Sequence, residues 1–479
     1  MPTRILHAAT RAAYAAAPTQ QEQCEAVRDA FAGNVTLRIE GAGGQHLRTM
    51  TLAPFSVNTA TPRGIVCGAV LADTAVAPIT PGAAGIAPTR WEFRDGSTPI
   101  FETTEITQGP IRTLCSPRFG AVVVTANPAL PVDEVPSWLP AVGVCVEISS
   151  GTTVGSAVRA MGGNSYPGTD PDNIVDPWSG GAVVYVSGKP YLVVMGGGHG
   201  DSSFNGSVKF GPLYGSGSST PTWTPFLAGS AVGAVVESPT YTDGRQASTH
   251  SYNNLVGVGS TLYSMRTDAY YSGAGNSSPL GFAFTTAGQT AIASYPGGGQ
   301  FNAAAHYSGN IYVIGGNTSW DRLRIYNIAG NSYTSEAGAD LSFDNYVSMA
   351  VDSTRGRLLV IGGSDPAGST TGSAYYNLST LSRQLNVARP AGYAFALEYD
   401  PDRDVFVSPQ AGSATVREAS ASALAAGSGA TWTTRTFTGA TPPSGAAGRI
   451  YGRFRHVPEL KGYILVPGLE SSVYFFRSA

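Results

Sequence analysis

An all-β fold built from a repeated unit is what this sequence predicts, and three observations carry that prediction. The first is an apolar run that stops at glycines: Tyr191-Leu192-Val193-Val194-Met195 passes into Gly196-Gly197-Gly198, and the same event returns at Ile311–Asn317 (IYVIGGN) and Leu358–Asp365 (LLVIGGSD). A buried strand ending in Gly-Gly, found three times, marks a repeat architecture. The second is composition: charged residues are only 13%, whereas there are 60 glycines and 23 tyrosines, a balance of strand formers and turn residues. The third is that each marker strand has an apolar strand before it and another after it, with Trp-Thr segments between units.

The ends of the second strands are taken as Met195, Met265, Ile314, Ile361, Val407 and Val466, and most fall near the ~40–50-residue spacing of four-stranded blades. First strands are expected at Ala182–Val186, Ser251–Gly257, Ala303–Tyr307, Tyr346–Val351, Tyr393–Tyr399 and Tyr451–His456. Third strands are expected at Ser207–Phe210, Gly281–Phe284, Arg322–Tyr326, Gly372–Tyr376, Ala414–Arg417 and Ser472–Phe476. Thr222-Trp223-Thr224 and Thr431-Trp432-Thr433 suit outer strands. Four strands per unit, stacked radially, make a β-propeller over residues 141–479, with six blades, or seven if 211–248 or 149–180 holds a degenerate one. The chain stops just after its last third strand. An open edge at the seam would invite aggregation, so the missing outer strand is expected from before the first blade, with Val144–Ile148 (VCVEI) the candidate.

Ahead of the propeller, residues 1–125 read as a small α+β module and 126–140 as a Pro-rich linker, ANPALPVDEVPSWLP. Residues 18–33 predict a short helix, with Thr19 as cap, Glu22 three positions on, a Cys24–Val27–Phe31 face and Gly33 as its end. Strands are expected at Val35–Glu40, His46–Leu52, Gly64–Leu71, Arg90–Arg94, Ile100–Ile106 and within Thr113–Thr125, with Asp95-Gly96 turning a hairpin. His7 and Arg11 interrupt the apolar core a signal peptide needs, so the N-terminus reads as an arm or helix. The four cysteines, Cys24, Cys67, Cys115 and Cys145, are too few and too far apart for a disulfide scaffold or a paired metal site. They read as reduced thiols of a protein made in the cytoplasm. No run of 18 apolar residues occurs to span a bilayer, and a net charge of −3 offers no footprint for nucleic acid.

Two resemblances add to this reading. QCEAVRDAF, VTLRIEG, Ala53-Pro54-Phe55 and WEFRDGSTPIFETTEI, in that order over residues 18–108, resemble a small module of tailed-bacteriophage virion proteins. That resemblance brings no catalytic residue. It implies a virion location and attachment to other tail or head proteins through residues 1–125, in multiple copies. The Gly-Gly blades resemble kelch-type, galactose-oxidase-like propellers, although Met265-Arg266, Val407-Ser408 and Val466-Pro467 depart from the pattern. The copper-radical chemistry that this second resemblance implies needs a Tyr cross-linked to Cys, and residues 146–479 contain no cysteine, which excludes it.

Loops after second strands and before first strands project from one face. That face gathers His199, Asp201, Asn205, Arg266, Asp268, Tyr270, Asn317, Trp320, Asp321, Asp365 and Gln410, a mixture of aromatic, amide and carboxylate groups suited to binding a sugar or a protein. Such residues are also what sharp turns require. His199-Gly200-Asp201 is the most pointed triplet, and His199, His250, His306 and His456 would form a metal cluster only if they converge on the axis. No metal and no cofactor is expected. Asp201, Asp268, Asp321 and Asp365 could supply the carboxylate pair of a glycoside hydrolase, but nothing selects a pair. No nucleophile elbow, P-loop or His-Glu-x-x-His occurs; Gly215-Ser216-Gly217 lies in a Ser/Gly loop, and Val351-Asp352-Ser353-Thr354 is a poor echo of a sialidase box. The expected function is therefore a virion protein that is not an enzyme and presents a host-surface or glycan-binding face. The alternatives are an enzyme acting on bacterial surface polysaccharide and a decoration protein with no ligand.

Overall fold

The computed structural model describes backbone strands within residues 1–134. From 135 onward it describes the chain except 149–150, 167–173, 175–177, 197–203, 215–219, 266, 272–273, 297–299, 317, 344–345, 363–372, 386, 392–393, 428–430 and 446–448. Side chains are undescribed before 135, around those gaps and in parts of a few strands, notably 267–277, 300–301, 316–322 and 335–343. The chain divides into two compact units, Met1–Pro131 and Val132–Ala479.

The first unit holds β1 (Thr3–Ile5), β2 (Val35–Glu40), β3 (His46–Leu52), β4 (Ser56–Asn58), β5 (Gly64–Val66), β6 (Val70–Ala75), β7 (Arg90–Asp95), β8 (Thr98–Thr103) and β9 (Val123–Val124). Six of these form one sheet in the order β1-β8-β7-β2-β3-β6, and β4-β5-β9 form a second. The Asp95-Gly96 hairpin is present, with Asp95 opposite Thr98. The single strand expected over Gly64–Leu71 is instead β5 and β6, which belong to different sheets. The helix expected at 18–33 lies outside the described residues.

The second unit is a six-bladed propeller. It begins with β10 (Val144–Ile148) and a short helix α1 (Val154–Ala160) capped by Thr153. Blade one is β11 (Gly180–Val186), β12 (Lys189–Met195), β13 (Ser207–Gly211) and β14 (Thr222–Leu227). Blade two has β15 (Leu255–Val258) and β16 (Thr261–Ser264), then an inserted hairpin, β17 (Thr267–Tyr271) and β18 (Ala274–Ser278), then β19 (Gly281–Thr285) and β20 (Gly288–Ile292). Blade three is β21 (Gln300–Tyr307), β22 (Asn310–Gly316), β23 (Thr318–Asn327) and β24 (Ser332–Phe343). Blade four is β25 (Ser348–Asp352), β26 (Arg357–Ile361), β27 (Ala374–Asn377) and β28 (Arg383–Leu385). Blade five is β29 (Glu398–Asp400), β30 (Val405–Pro409), β31 (Thr415–Ser420) and, after helix α2 (Ala421–Ala425), β32 (Thr433–Thr436).

Blade six closes the ring. Its sheet runs β33-β10-β36-β35-β34, with β33 at Thr438–Gly439, β34 at Phe454–Val457, β35 at Gly462–Leu465 and β36 at Val473–Arg477. β10 lies antiparallel to the C-terminal strand, Cys145 opposite Phe476 and Ile148 opposite Val473, as expected from the uncovered edge. Trp138 packs edge-on to Phe475, and Arg477 donates to the Pro140 carbonyl at 2.9 Å, so residues just before β10 also lie against this blade. Burial holds the Cys145 thiol up at a pKa of about 12, a neutral apolar core group rather than a nucleophile.

Facing sheets of neighbouring blades bury apolar clusters between them. Met195 of β12 packs with Leu255, Phe282 and Phe284 of the next blade; Ile314 and Leu323 pack with Met349 and Val360 of the one after. The axis is narrow: a Cβ at Gly257 would overlap the Val183 carbonyl oxygen, and Tyr185 N–H donates to Gly259 O at 2.7 Å across two inner strands. Arg455 of β34 spans this axis. Its Nε donates to Gly181 O and Gly452 O at 2.9 Å, one terminal nitrogen to Leu255 O at 3.2 Å and the other to Glu398 Oε1 at 2.7 Å. Hairpin turns on the opposite end are clamped likewise, Arg355 holding Asp352 at 2.9 Å and Asp404 at 2.6 Å.

Candidate functional site: an aromatic ring at the axis

In blades two, four, five and six the inner strand begins later than the sequence suggested, and the delay builds the site. Expected strands ran through Tyr346 and Tyr451, but these residues have φ of 66° and 49°; Tyr252 and Phe395, at 39° and 58°, make the same left-handed bend. Bulky residues rarely adopt that conformation, which costs of order 1–3 kcal/mol each. Four blades repeat it at the same place, and the bend takes the chain out of the strand at the axis. Trp178 and Phe301 occupy the corresponding register in blades one and three, ahead of the Gly180–Met195 and Ala303–Ile314 pairs. In the five blades whose side chain is described at this position, that residue is aromatic.

The described rings touch. Tyr252 and Tyr451 are wholly buried, their centroids 5.2 Å apart. Tyr346 lies 5.8 Å from each of them, and Phe395 lies 5.4 Å from Tyr346 and 5.7 Å from Tyr451. Trp178 stacks on His250 at 4.9 Å, and His250 shares a 2.6 Å hydrogen bond with the Tyr252 hydroxyl through Nδ1. Trp178, Tyr346 and Phe395 are half-buried, whereas Tyr252 and Tyr451 are wholly buried. Arg449 completes it, its guanidinium 4.6 Å from the Tyr346 centroid and 5.9 Å from that of Phe395. Burial raises the Tyr451 pKa, with the Arg449 charge pulling the other way, so its hydroxyl stays protonated.

Below the ring, Asn253 ties blades two, four and five: its Nδ2 donates at 2.9 Å to Val347 O, Ser348 Oγ and Phe395 O. Asn302 holds the matching register in blade three, is wholly buried, and has a hydrogen-bond partner on neither amide atom. The glycine turn after β12 borders the site. Gly196 has φ of 95°, and a Cβ there would press on Ser251 Oγ and within 2.6 Å of Thr249 O, the residues flanking His250. Only glycine lets the next blade approach so closely.

The sequence-selected face residues are distributed as follows. His199, Asp201, Arg266, Asn317 and Asp365 lie outside the described residues. Asp268 and Tyr270 are on β17, and Trp320 and Asp321 on β23, so these four belong to strands rather than loops; their side chains are not described. Asn205 is buried and fully engaged, receiving Ser230 N–H at 2.8 Å and donating to Ser230 Oγ at 2.9 Å and Gln246 O at 2.7 Å. Gln410 accepts from Thr415 Oγ1 at 2.8 Å. His250 joins the ring, whereas His306 and His456 lie toward the hairpin ends of β21 and β34. Burial lowers the pKa of both; Asp400 and Glu398 oppose this at His456. Among the described residues no three His, Cys, Asp or Glu side chains form a metal-holding group. The sequence reading passed over the ring and Arg449. The available signal was one aromatic residue shortly before each inner strand.

No family model matches the chain, and no curated protein matches it. Among solved structures, one it resembles is a chain from a crystal structure of a nidogen/laminin complex, at 9% identity and a TM-score of 0.33, over 53% of this chain and 79% of that one. A likeness at that level carries no argument about function.

Proposed function

We propose that the propeller is a glycan-binding module whose reading surface is the axial aromatic ring. The observation that carries the proposal is the half-buried set Trp178, Tyr346 and Phe395, packed against the buried Tyr252 and Tyr451. Flat aromatic faces with a polar edge stack against the apolar faces of sugar rings, while hydroxyls and a guanidinium supply orientation. Repeated left-handed bends hold these rings in place before any ligand arrives, so little ordering remains to oppose binding.

The biological setting proposed is the virion of a tailed phage. The resemblance over residues 18–108 supports it, and residues 1–125 would then attach the propeller to other tail or head proteins. Weak single sites displayed in multiple copies gain avidity for a cell surface. The kelch-type likeness of the Gly-Gly blades belongs to the same reading.

The test is a glycan array and a host-cell binding assay with the full chain, the Tyr346→Ala and Phe395→Ala variants alongside. Retention of wild type and loss in both variants is the expected result. No binding at about 100 µM protein, a concentration at which sites far weaker than ~1 µM would register, would favour a ligand-free decoration protein. Release of oligosaccharide that stops on substituting Asp201 or Asp365 would replace the binding reading with an enzymatic one.

A further inference from the structure

We infer that the glycan read by this ring is acidic, and that Arg449 receives its carboxylate. The inference rests on the glycan-binding proposal and adds the chemical class of the ligand.

Arg455 at the axis is matched to Glu398, and at the hairpin turns Arg403 is matched to Glu418 and Arg355 to Asp352 and Asp404. Among the described residues Arg449 has no acidic partner. Its guanidinium donates one long hydrogen bond, Nη1 to the Tyr346 hydroxyl at 3.4 Å, and its charge also acts on the Tyr451 hydroxyl. A half-buried guanidinium carries five N–H donors in a planar fork, and most of these remain for a ligand.

The fork is also held in place. Its plane is braced against the rings of Tyr346 and Phe395. Its backbone carbonyl accepts from the buried Arg453 at 2.6 Å, and Arg453 Nε reaches the next carbonyl, that of Ile450, at 3.0 Å. Ile450 N–H is anchored to Ala394 O of the neighbouring blade at 3.0 Å. A cation fixed beside half-buried aromatic faces suits a ligand that combines an apolar ring face with a carboxylate on its rim. The carboxylate would engage the fork through two parallel N–H···O bonds, the geometry that makes arginine a better partner here than lysine. A neutral sugar would leave the charge unanswered and gain only the stacking term.

The experiment measures binding of the full chain to oligogalacturonate and to oligosialic acid, each compared with its carboxyl-reduced counterpart, by calorimetry at low and high salt. Tight binding of at least one acidic form is expected, weakened about tenfold or more by carboxyl reduction, by Arg449→Gln and by raised salt, with Arg449→Lys falling between. Tyr346→Ala and Phe395→Ala weaken acidic and reduced forms alike. Equal binding of the acidic and reduced forms, or wild-type affinity in Arg449→Gln, overturns the acidic-ligand inference and leaves the glycan module standing. Absence of binding to every form in this set overturns the inference, and absence across the wider array overturns the glycan module itself. Should Arg449→Gln fail to fold, the comparison of acidic with reduced ligand on wild-type protein decides the matter alone.

Discussion

Replacing Arg455 by methionine removes a side chain that links four blades across the axis. Its partners are the Gly181, Gly452 and Leu255 carbonyls and the Glu398 carboxylate, and both members of the ion pair have side chains only 16% exposed. Methionine fills much the same volume but donates nothing. Glu398 keeps the backbone N–H of His456 at 3.3 Å as its remaining partner, and three carbonyls lose a donor. Breaking a buried pair by removing one partner costs about 3–5 kcal/mol, and slight exposure sets the expectation at the lower end, roughly 3 kcal/mol. Much of that cost is the stranded carboxylate. Glu398→Leu in the same chain should therefore recover part of it, giving a coupling of about 1–3 kcal/mol in a double-mutant cycle. Urea denaturation followed by tryptophan fluorescence measures all four corners. A single-variant loss below about 1 kcal/mol, or strict additivity, refutes the idea that this arginine ties the axis electrostatically.

Two further predictions follow from the same axis and its surroundings. Asn253→Ala should cost about 2 kcal/mol, because it removes two N–H donors shared among three buried acceptors, of which the Phe395 carbonyl keeps the Ser348 hydroxyl, whereas Asn302→Ala should be near neutral, since that amide has no hydrogen bond to lose; equal losses in denaturation midpoint would contradict the assignment. Acid should destabilise the propeller in two stages. Burial lowers the His306 and His456 pKa values in the fold, so their contribution is complete above the unfolded value of about 6.5 and is lost as pH falls through the folded ones. Burial works to raise Asp404 and Glu470, but hydrogen bonds from Arg355 and Tyr399 to the first, and from Thr153 and Arg159 to the second, leave both net lowered; their share drains at lower pH still. Denaturation midpoints that do not change between pH 7 and pH 5, or a His456→Gln variant with an undiminished slope there, would count against the histidine stage.

Much of the fold was readable because its signals are local or topological. The closing strand is one case: Val144–Ile148, an apolar segment ahead of the first blade, pairs along the otherwise open edge of β36. The blade count is another. Among the described residues 151–179 hold α1 and short 3-10 turns, and 228–254 hold turns, a 3-10 segment and an isolated bridge between Thr240 and Gln246, so neither stretch supplies a seventh four-stranded blade. Starts of the inner strands were not readable. Propensity assigns Tyr346 and Tyr451 to strands, and only the crowding of several blades at one axis turns them into left-handed bends.

The site was harder to read for a related physical reason. Loop residues such as His199, Asp201 and Asp365 attract attention because polar groups beside glycines resemble chemistry, yet glycine turns select polar residues whether or not a ligand exists. Asn205 shows the ambiguity resolved one way, since its amide is consumed in bracing Ser230 and Gln246. An aromatic residue at the head of a strand looks like core by itself. Its meaning changes only when the same register in other blades brings a second and a third ring within 6 Å, as Tyr346 does with Tyr252, Tyr451 and Phe395. Radial repetition multiplies one unremarkable position into a surface. The glycine turn at Gly196 keeps a part in that surface, because its missing side chain is what lets Thr249 and Ser251 carry His250 against Trp178. Turn and ring are therefore one construction: a Cβ at Gly196 would push back the segment that supports the Trp178 side of the platform, and with it the face on which a sugar would rest.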